Sequence, residues 1–365
     1  MTLRLSKVLI VATVAGLALV GCSASPAPAP TSTKTTVLQA GVAQPGSFQG
    51  RQFSMAANGG TTQDVQNKIF QDFANIVGAQ FAPDGPPTTA AVKAQVDSHN
   101  VTWDIVDAPE VDLASGCGTV YQKLDYSKID TSKLSKLVPL QDCGVPLNAS
   151  PWTFAYNKDA WPTAPTSWAD FFDLKKFPGK RAVYSGFPMQ TMEAALLGSG
   201  VDPKDLKKPD VDRGYKELNK IKSNLLFFAA GSESQQMIAS NQVAAGVFWS
   251  GRVYTELLNG SNWGIVDTAP PILRMDYWAI PIGAKNTDVA YAAINYYIGA
   301  AQQSEWQEKT AYPSMNVDSK PNLSPEAKAV DVFKSPFKPV TIDVDFWSSH
   351  LSAQLDRWTT WTSAK

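Results

Sequence analysis

Val243-Ala244-Ala245-Gly246-Val247-Phe248-Trp249 is an unbroken apolar run that stops on Ser250-Gly251-Arg252. It is far too short to span a bilayer and has the length of a strand buried on both faces, as in a sheet covered by helices. The same reading repeats outward from it. Trp103-Asp104-Ile105-Val106 breaks at Asp107-Ala108-Pro109-Glu110, and Trp152-Thr153-Phe154-Ala155-Tyr156 sits between Pro151 and Asn157-Lys158-Asp159. Ala182-Val183-Tyr184 runs into Gly186 and Pro188, then a helix through Leu197, and Tyr277-Trp278-Ala279-Ile280-Pro281 is a further strand. Between them, Gln63 to Val77 places Val65, Ile69, Phe70, Phe73 and Ile76 at helical spacing. Gln236 to Ala239 is also helical, and Asp288 to Lys309 reads as one long helix. Short apolar strands alternating with helices define an α/β fold with largely buried sheets.

A chain of 365 residues has room for two lobes, and its 44% hydrophobic content is that of an ordinary globular protein. The formal charge of −1 argues against a nucleic-acid partner, which calls for a basic excess. At the N-terminus, Arg4 and Lys7 precede an apolar stretch from Val8 to Val20, too short for a comfortable membrane span, so residues 1–21 read as a secretory signal. The stretch ends on Leu19-Val20-Gly21-Cys22, which looks like a bacterial lipobox whose cysteine becomes the lipidated N-terminus. Ser23-Ala24-Ser25-Pro26-Ala27-Pro28-Ala29-Pro30 opens a tract that cannot bury a core, so 22–47 is expected to be a solvated tether with folding from Phe48. This places the protein outside the cytoplasm on a lipid anchor. With Cys22 taken by lipid, Cys117 and Cys143 remain, and in an oxidising compartment they are expected to pair.

No nucleophile elbow, phosphate-binding loop, dinucleotide fingerprint or zinc-protease motif occurs. His99 and His350 stand in polar surroundings, far apart, with no ligand cluster beside them, so neither a catalytic triad nor a metal site is expected, and no cofactor. The strand ends carry the chemistry instead, because open α/β sheets bind ligands beyond them. Asp107 to Glu110, Ser185 to Gln190, and Trp249 to Arg252 fall there, with Asp276 just before another strand. Carboxylates and aromatics together suit an ammonium, which takes a charge-assisted hydrogen bond and a ring face.

Several segments resemble the bacterial extracellular solute-binding family that includes the periplasmic spermidine/putrescine-binding proteins. These are residues 150–161, Pro165-Thr166-Ser167-Trp168-Ala169-Asp170-Phe171-Phe172-Asp173 followed by Phe177-Pro178-Gly179-Lys180, and Gly231 to Met237 leading to Gly246-Val247-Phe248-Trp249-Ser250-Gly251-Arg252. Ala279 to Asn286 and Tyr312-Pro313-Ser314-Met315-Asn316 complete the series, so the resemblance covers roughly residues 52–360. It implies a type II periplasmic-binding-protein fold with two α/β lobes, 48–148 plus 275–318 and 149–274 plus 319–365, joined by crossing hinge segments. It also implies a monomer that closes on a small ligand and delivers it to the permease of an ABC importer. Trp249 then lies against the ligand chain, Asp276 on an amine and Tyr312 at the rim.

The departures shape the expected ligand. Arg274 stands where polyamine binders place an aromatic, Phe187 and Gln190 where they carry two carboxylates, and Asn58-Gly59-Gly60 where an aromatic pair is expected. A linear polyamine needs a carboxylate at each end, since a desolvated, unpaired ammonium is very costly. Asp107 or Glu110 do not align with the usual ones. Asp276 with Arg252 or Arg274 instead suits a zwitterion, polyamine being the second choice. Ferric binding is a further alternative, but it would require Tyr296-Tyr297, which lies inside a helical stretch.

Overall fold

A computed structural model describes residues 38–333 and 339–364. Cys22, the signal segment and the tether up to residue 37 lie outside the described residues.

In chain order the elements are β1 (Gln52–Ala56), α1 (Gly60–Val77), β2 (Gln80–Asp84), α2 (Thr89–Asp97), β3 (Ile105–Pro109) and α3 (Glu110–Gly116). There follow β4 (Gly144–Asn157), α4 (Trp168–Phe172), β5 (Arg181–Tyr184), α5 (Met189–Gly198), α6 (Val211–Asn219), β6 (Leu225–Phe228) and α7 (Gly231–Ala239). Then come β7 (Ala245–Trp249), α8 (Ser250–Leu258), β8 (Trp263–Ile265), β9 (Ile272–Ala279), α9 (Thr287–Tyr297), α10 (Ala300–Thr310), α11 (Pro325–Ala329), β10 (Val340–Thr341) and α12 (Val344–Ser363).

The strands pair in the order β2-β1-β3-β9-β4-β7-β5-β6. β1, β2 and β3 run parallel to one another, as do β5, β6 and β7. Two longer antiparallel strands connect these sets. β9 pairs with β3 through Asp276–Ala279 and with β4 from Ile272 to Ala279, while β4 pairs with β7 through Trp152–Tyr156. β4 is buried along its whole length, yet contains Pro146 and Pro151. A proline cannot donate to the ladder, and the β4–β9 register slips between Pro146 and Asn148, where such a residue is tolerated.

The apolar interior divides accordingly. One core gathers Trp152, Phe154, Trp168, Phe248, Trp263, Trp347 and Trp358. Two others lie on the β1–β3 side, one around Phe53, Phe70, Phe73, Trp278 and Tyr297, the second around Trp103, Val106, Tyr121 and Tyr277. Arg181 is fully buried in the first, its guanidinium donating to the carbonyls of Phe171, Phe177 and Gly179 and lying over the Trp161 ring.

Several boundaries differ from the sequence reading. In α1 the buried face takes Val65, Ile69, Phe70, Phe73 and Val77, whereas Ile76 turns to solvent. The stretch from Asp288 to Lys309 is two helices, because Gly299 caps α10 where the backbone packs on Gly41. Folding also starts before Phe48. Gly41 donates to the Asn295 carbonyl, Ala40 to Asp130, and Phe48 to the Val77 carbonyl, with Leu38, Ala40 and Ala43 against the core. A tether composition holds no information about which helix will offer it carbonyls. Cys117, at the C-cap of α3, is bonded to Cys143 just ahead of β4, with Cα atoms 5.6 Å apart.

Candidate functional site

β3 passes into α3, and β7 into α8, with no loop between strand and helix. These junctions bring the carboxyl ends of both strands to the same hollow as the middle of β9. A cavity of about 350 Å³ opens there, and seven of the residues singled out from sequence line it: Asn58, Asp107, Trp249, Arg252, Arg274, Asp276 and Tyr312. Glu110 and Gln190 line an adjoining cavity of about 320 Å³, whose wall shares Asn58 and Arg274 with the first.

Asp276 does not precede its strand but lies inside β9, opposite Asn148 of β4. Arg274 donates from Nε to its Oδ1 at 2.9 Å and Ser150 Oγ to its Oδ2 at 2.7 Å. A carboxylate has about four acceptor positions, so two remain on Asp276 for a ligand. Arg274 also lies over the Phe187 ring, 5.3 Å from its centre. Burial works against the charge of Arg274, but Asp276 and Asp107 more than offset it and keep the guanidinium firmly protonated.

Asp107 takes one hydrogen bond at Oδ2 from Asn58 (3.2 Å), and its buried Oδ1 has no partner among the described residues. Burial first, and the charge of Asp276 second, push its carboxyl well above the usual carboxylate range. Glu110 is pushed up to about 8 chiefly by burial.

Arg252 is the opposite case. Its Nη1 donates to Gln235 at 3.0 Å, and it makes no ion pair among the described residues. Its guanidinium lies between the first residues of α1 and α7. A Cβ on Gly60 would stand 2.7 Å from Nη1, and one on Gly231 would stand 2.7 Å from Nε, so either would push the guanidinium aside, and Gly60 also has a positive φ of 70° that favours glycine. The aromatic wall is Trp249, its ring tilted against its cross-strand neighbour Trp152 with centroids 4.0 Å apart and edge-on to Tyr184 at 5.4 Å. Tyr312 is not at the rim. It is buried against Gly251, and burial raises its hydroxyl to about 12.

Sequence reasoning missed Asn148, Ser150, Tyr184, Thr88 and Gln66, which also line the first cavity. The period-2 spacing of Asn148 and Ser150 was a usable signal, since it puts both on the face of β4 that meets Asp276. Thr88 and Gln66 carried none. Tyr296 and Tyr297 are both buried in the core, with Tyr297 stacked on Phe70, and neither lines the cavity. No cluster of three metal-ligating side chains occurs among the described residues.

An α/β cleft with one free guanidinium, one partly satisfied carboxylate and an aromatic wall defines a receptor for a small charged solute. The chain belongs to the bacterial extracellular solute-binding protein family, whose model matches residues 52–332. It is 28% identical over 331 residues to a gamma-aminobutyric acid-binding protein of Pseudomonas aeruginosa, covering 86% of this chain and 92% of that one. To the spermidine/putrescine-binding periplasmic protein of Escherichia coli it is 27% identical over 218 residues, 56% of this chain and 61% of the relative. The solved Atu4243 GABA receptor superposes with a TM-score of 0.79 at 33% identity, covering 87% of this chain and 98% of that one. The agropinic acid complex of AgtB from A. tumefaciens superposes with a TM-score of 0.75 at 27% identity, over 86% and 99%. The fold is thus that of periplasmic binding proteins, a family of transport receptors that work outside the cytoplasm.

Proposed function

We propose that this protein is the lipid-anchored receptor of an ABC importer for a zwitterionic ω-amino acid of the gamma-aminobutyrate type. The observation that carries this reading is Arg252, a cation without a carboxylate partner in a cavity that also holds Asp276. Arg252 takes the ligand's carboxylate bidentately, Asp276 takes the ammonium, and Trp249 covers the methylene chain between them. The kinship with gamma-aminobutyrate receptors over most of the chain supports it. The cation at one end disfavours a linear polyamine.

In this reading residues 48–148 plus 275–318 and residues 149–274 plus 319–365 are lobes that hinge on β4 and β9. The separate cores and the two crossing strands support that division. Cys22 carries the lipid, and the receptor acts as a monomer. Isothermal titration with 4-aminobutanoate, putrescine and spermidine tests the ligand class. Micromolar or tighter binding of the amino acid and none of the polyamines is expected. Micromolar spermidine binding with no response to the amino acid would falsify the assignment. The anchor is checked by metabolic labelling with palmitate, which Cys22→Ser should abolish.

A further inference from the structure

Arg274 is the cation on which Asp276 depends, and Asp276 is not the only group that places it. The second cavity opens along one side of Arg274, so the guanidinium has room to swing away from the carboxylate. The Phe187 ring stands on that side, 5.3 Å from the guanidinium. Phe187 belongs to an aromatic corner, edge-on to Tyr184 at 4.6 Å and to Trp152 at 5.8 Å. It sits in the turn Ser185-Gly186-Phe187-Pro188 between β5 and α5, outside any strand or helix.

That turn is tied down at its first residue. Ser185 donates from its N–H and from its Oγ to the carbonyl of Phe228, at 2.9 and 3.0 Å. Its own carbonyl accepts from Trp358 Nε1 of α12 at 2.8 Å, across 173 residues of sequence. Trp358 is fully buried and lines neither cavity. Its stretch of α12 is fixed to α6. Trp358 stacks on Trp361 with centroids 5.1 Å apart, Trp361 Nε1 donates to Asn219, and Arg357 pairs with Asp212. The indole N–H is thus a fixed donor aimed at the backbone two residues ahead of Phe187.

We infer that Trp358 is a positioning residue for the ligand's amine: through the turn that carries Phe187, it keeps Arg274 on Asp276. This rests on reading Asp276 as the amine contact and extends the site to the last helix. The relay runs from Trp358 to Ser185, then Phe187, Arg274 and Asp276. When the turn relaxes, the Phe187 ring no longer backs the guanidinium. A buried carboxylate whose cation drifts loses the attraction that offsets its desolvation, and its open acceptor positions are no longer held toward the ammonium. The acid end of the ligand lies outside the relay, since Arg252 is held by Gln235 of α7.

Calorimetric titration of the intact protein with 4-aminobutanoate tests this, with urea melts run beside it. Trp358→Phe keeps an aromatic ring in the core and removes the N–H donor. It should weaken binding about fivefold, the worth of one hydrogen bond. Trp161→Phe is the matched control, because Trp161 Nε1 also donates to a backbone carbonyl, that of Pro178, in the same core but away from the turn. It should lower stability to a similar degree and leave affinity within about twofold of wild type. Phe187→Leu should weaken binding by a factor like that of Trp358→Phe, whereas Phe187→Tyr should keep it. The double variant Trp358→Phe with Phe187→Leu should bind no more weakly than the worse single one, since both break one relay. The inference is overturned if Trp358→Phe stays within about twofold of wild type, if Trp161→Phe loses as much, or if the two losses multiply in the double variant. Should wild type reject 4-aminobutanoate but take putrescine or spermidine, the zwitterion reading falls, and the same variants are titrated with that polyamine, whose amine meets the same carboxylate. A wild type that binds none of the three removes both.

Discussion

Glu193 carries its carboxyl into the packed interior between α5 and α12, where Trp347 Nε1 donates to Oε1 at 2.8 Å and Oε2 has no partner among the described residues. Burial raises the group from 4.5 to about 8. The folded chain thus holds a proton that the unfolded chain releases, and stability should decline as pH rises from about 4.5 to 8. Glu193→Gln keeps the acceptor for Trp347 and removes the titration. Relative to wild type it should gain on the order of 1–3 kcal/mol at pH 8 over pH 5, read from urea melts at the two values. An equal pH dependence in both proteins would show that another group controls it. Arg252 is where recognition is tested most directly, because no carboxylate among the described residues loses its partner with it. Arg252→Gln should weaken 4-aminobutanoate binding by roughly 100-fold, the range for truncating one side of a buried charge pair. Calorimetry checks this, and a change under threefold would take the acid group away from Arg252.

At the scale of elements, two joints depend on close approach. The break between α9 and α10 lets the N-terminal strap lie against Gly299, whose added Cβ would stand 2.2 Å from Gly41 Cα. Gly299→Ala should displace residues 38–47, lower stability by about 1–3 kcal/mol, and expose that segment to limited proteolysis. Cleavage no faster than in wild type would mean the backbone yields elsewhere. The bond between Cys117 and Cys143 ties the end of α3 to the start of β4, closing a loop with a sequence separation of 26. Replacing both with serine should cost about 3 kcal/mol by loop-closure entropy, measured by denaturant unfolding. Both ends of that loop border elements of the cleft, so the variant should also lose affinity for the amino acid.

For the whole molecule, the proposed hinge makes a prediction that no local contact makes. Ligand bridging Arg252 of α8 and Asp276 of β9 should favour closure, shrinking the radius of gyration by about 1 Å from about 20 Å in solution scattering. Arg252→Gln should remain at its unliganded radius at the same ligand concentration. An identical radius with and without ligand in wild type would replace a hinge by a preformed cleft.

The periodicity of apolar residues was enough to establish an α/β architecture, because strands buried on both faces and one-sided helices leave different spacings. It also marked Asp107, Trp249 and Arg252 at strand ends, whereas Asp276, placed just before a strand by its sequence, lies within β9. The extent of β4 was not legible: its prolines argue against a central strand, and only the tertiary structure puts Pro146 at the slip against β9 and Pro151 opposite Leu273. The split of one predicted helix into α9 and α10 depended on Gly41, more than 250 residues earlier. Which cation pairs with Asp276 was decided by side-chain contacts along one face of β9, while Arg252 turns to Gln235 of α7. Local pattern encodes what each segment buries; long-range packing alone encodes what each charge meets.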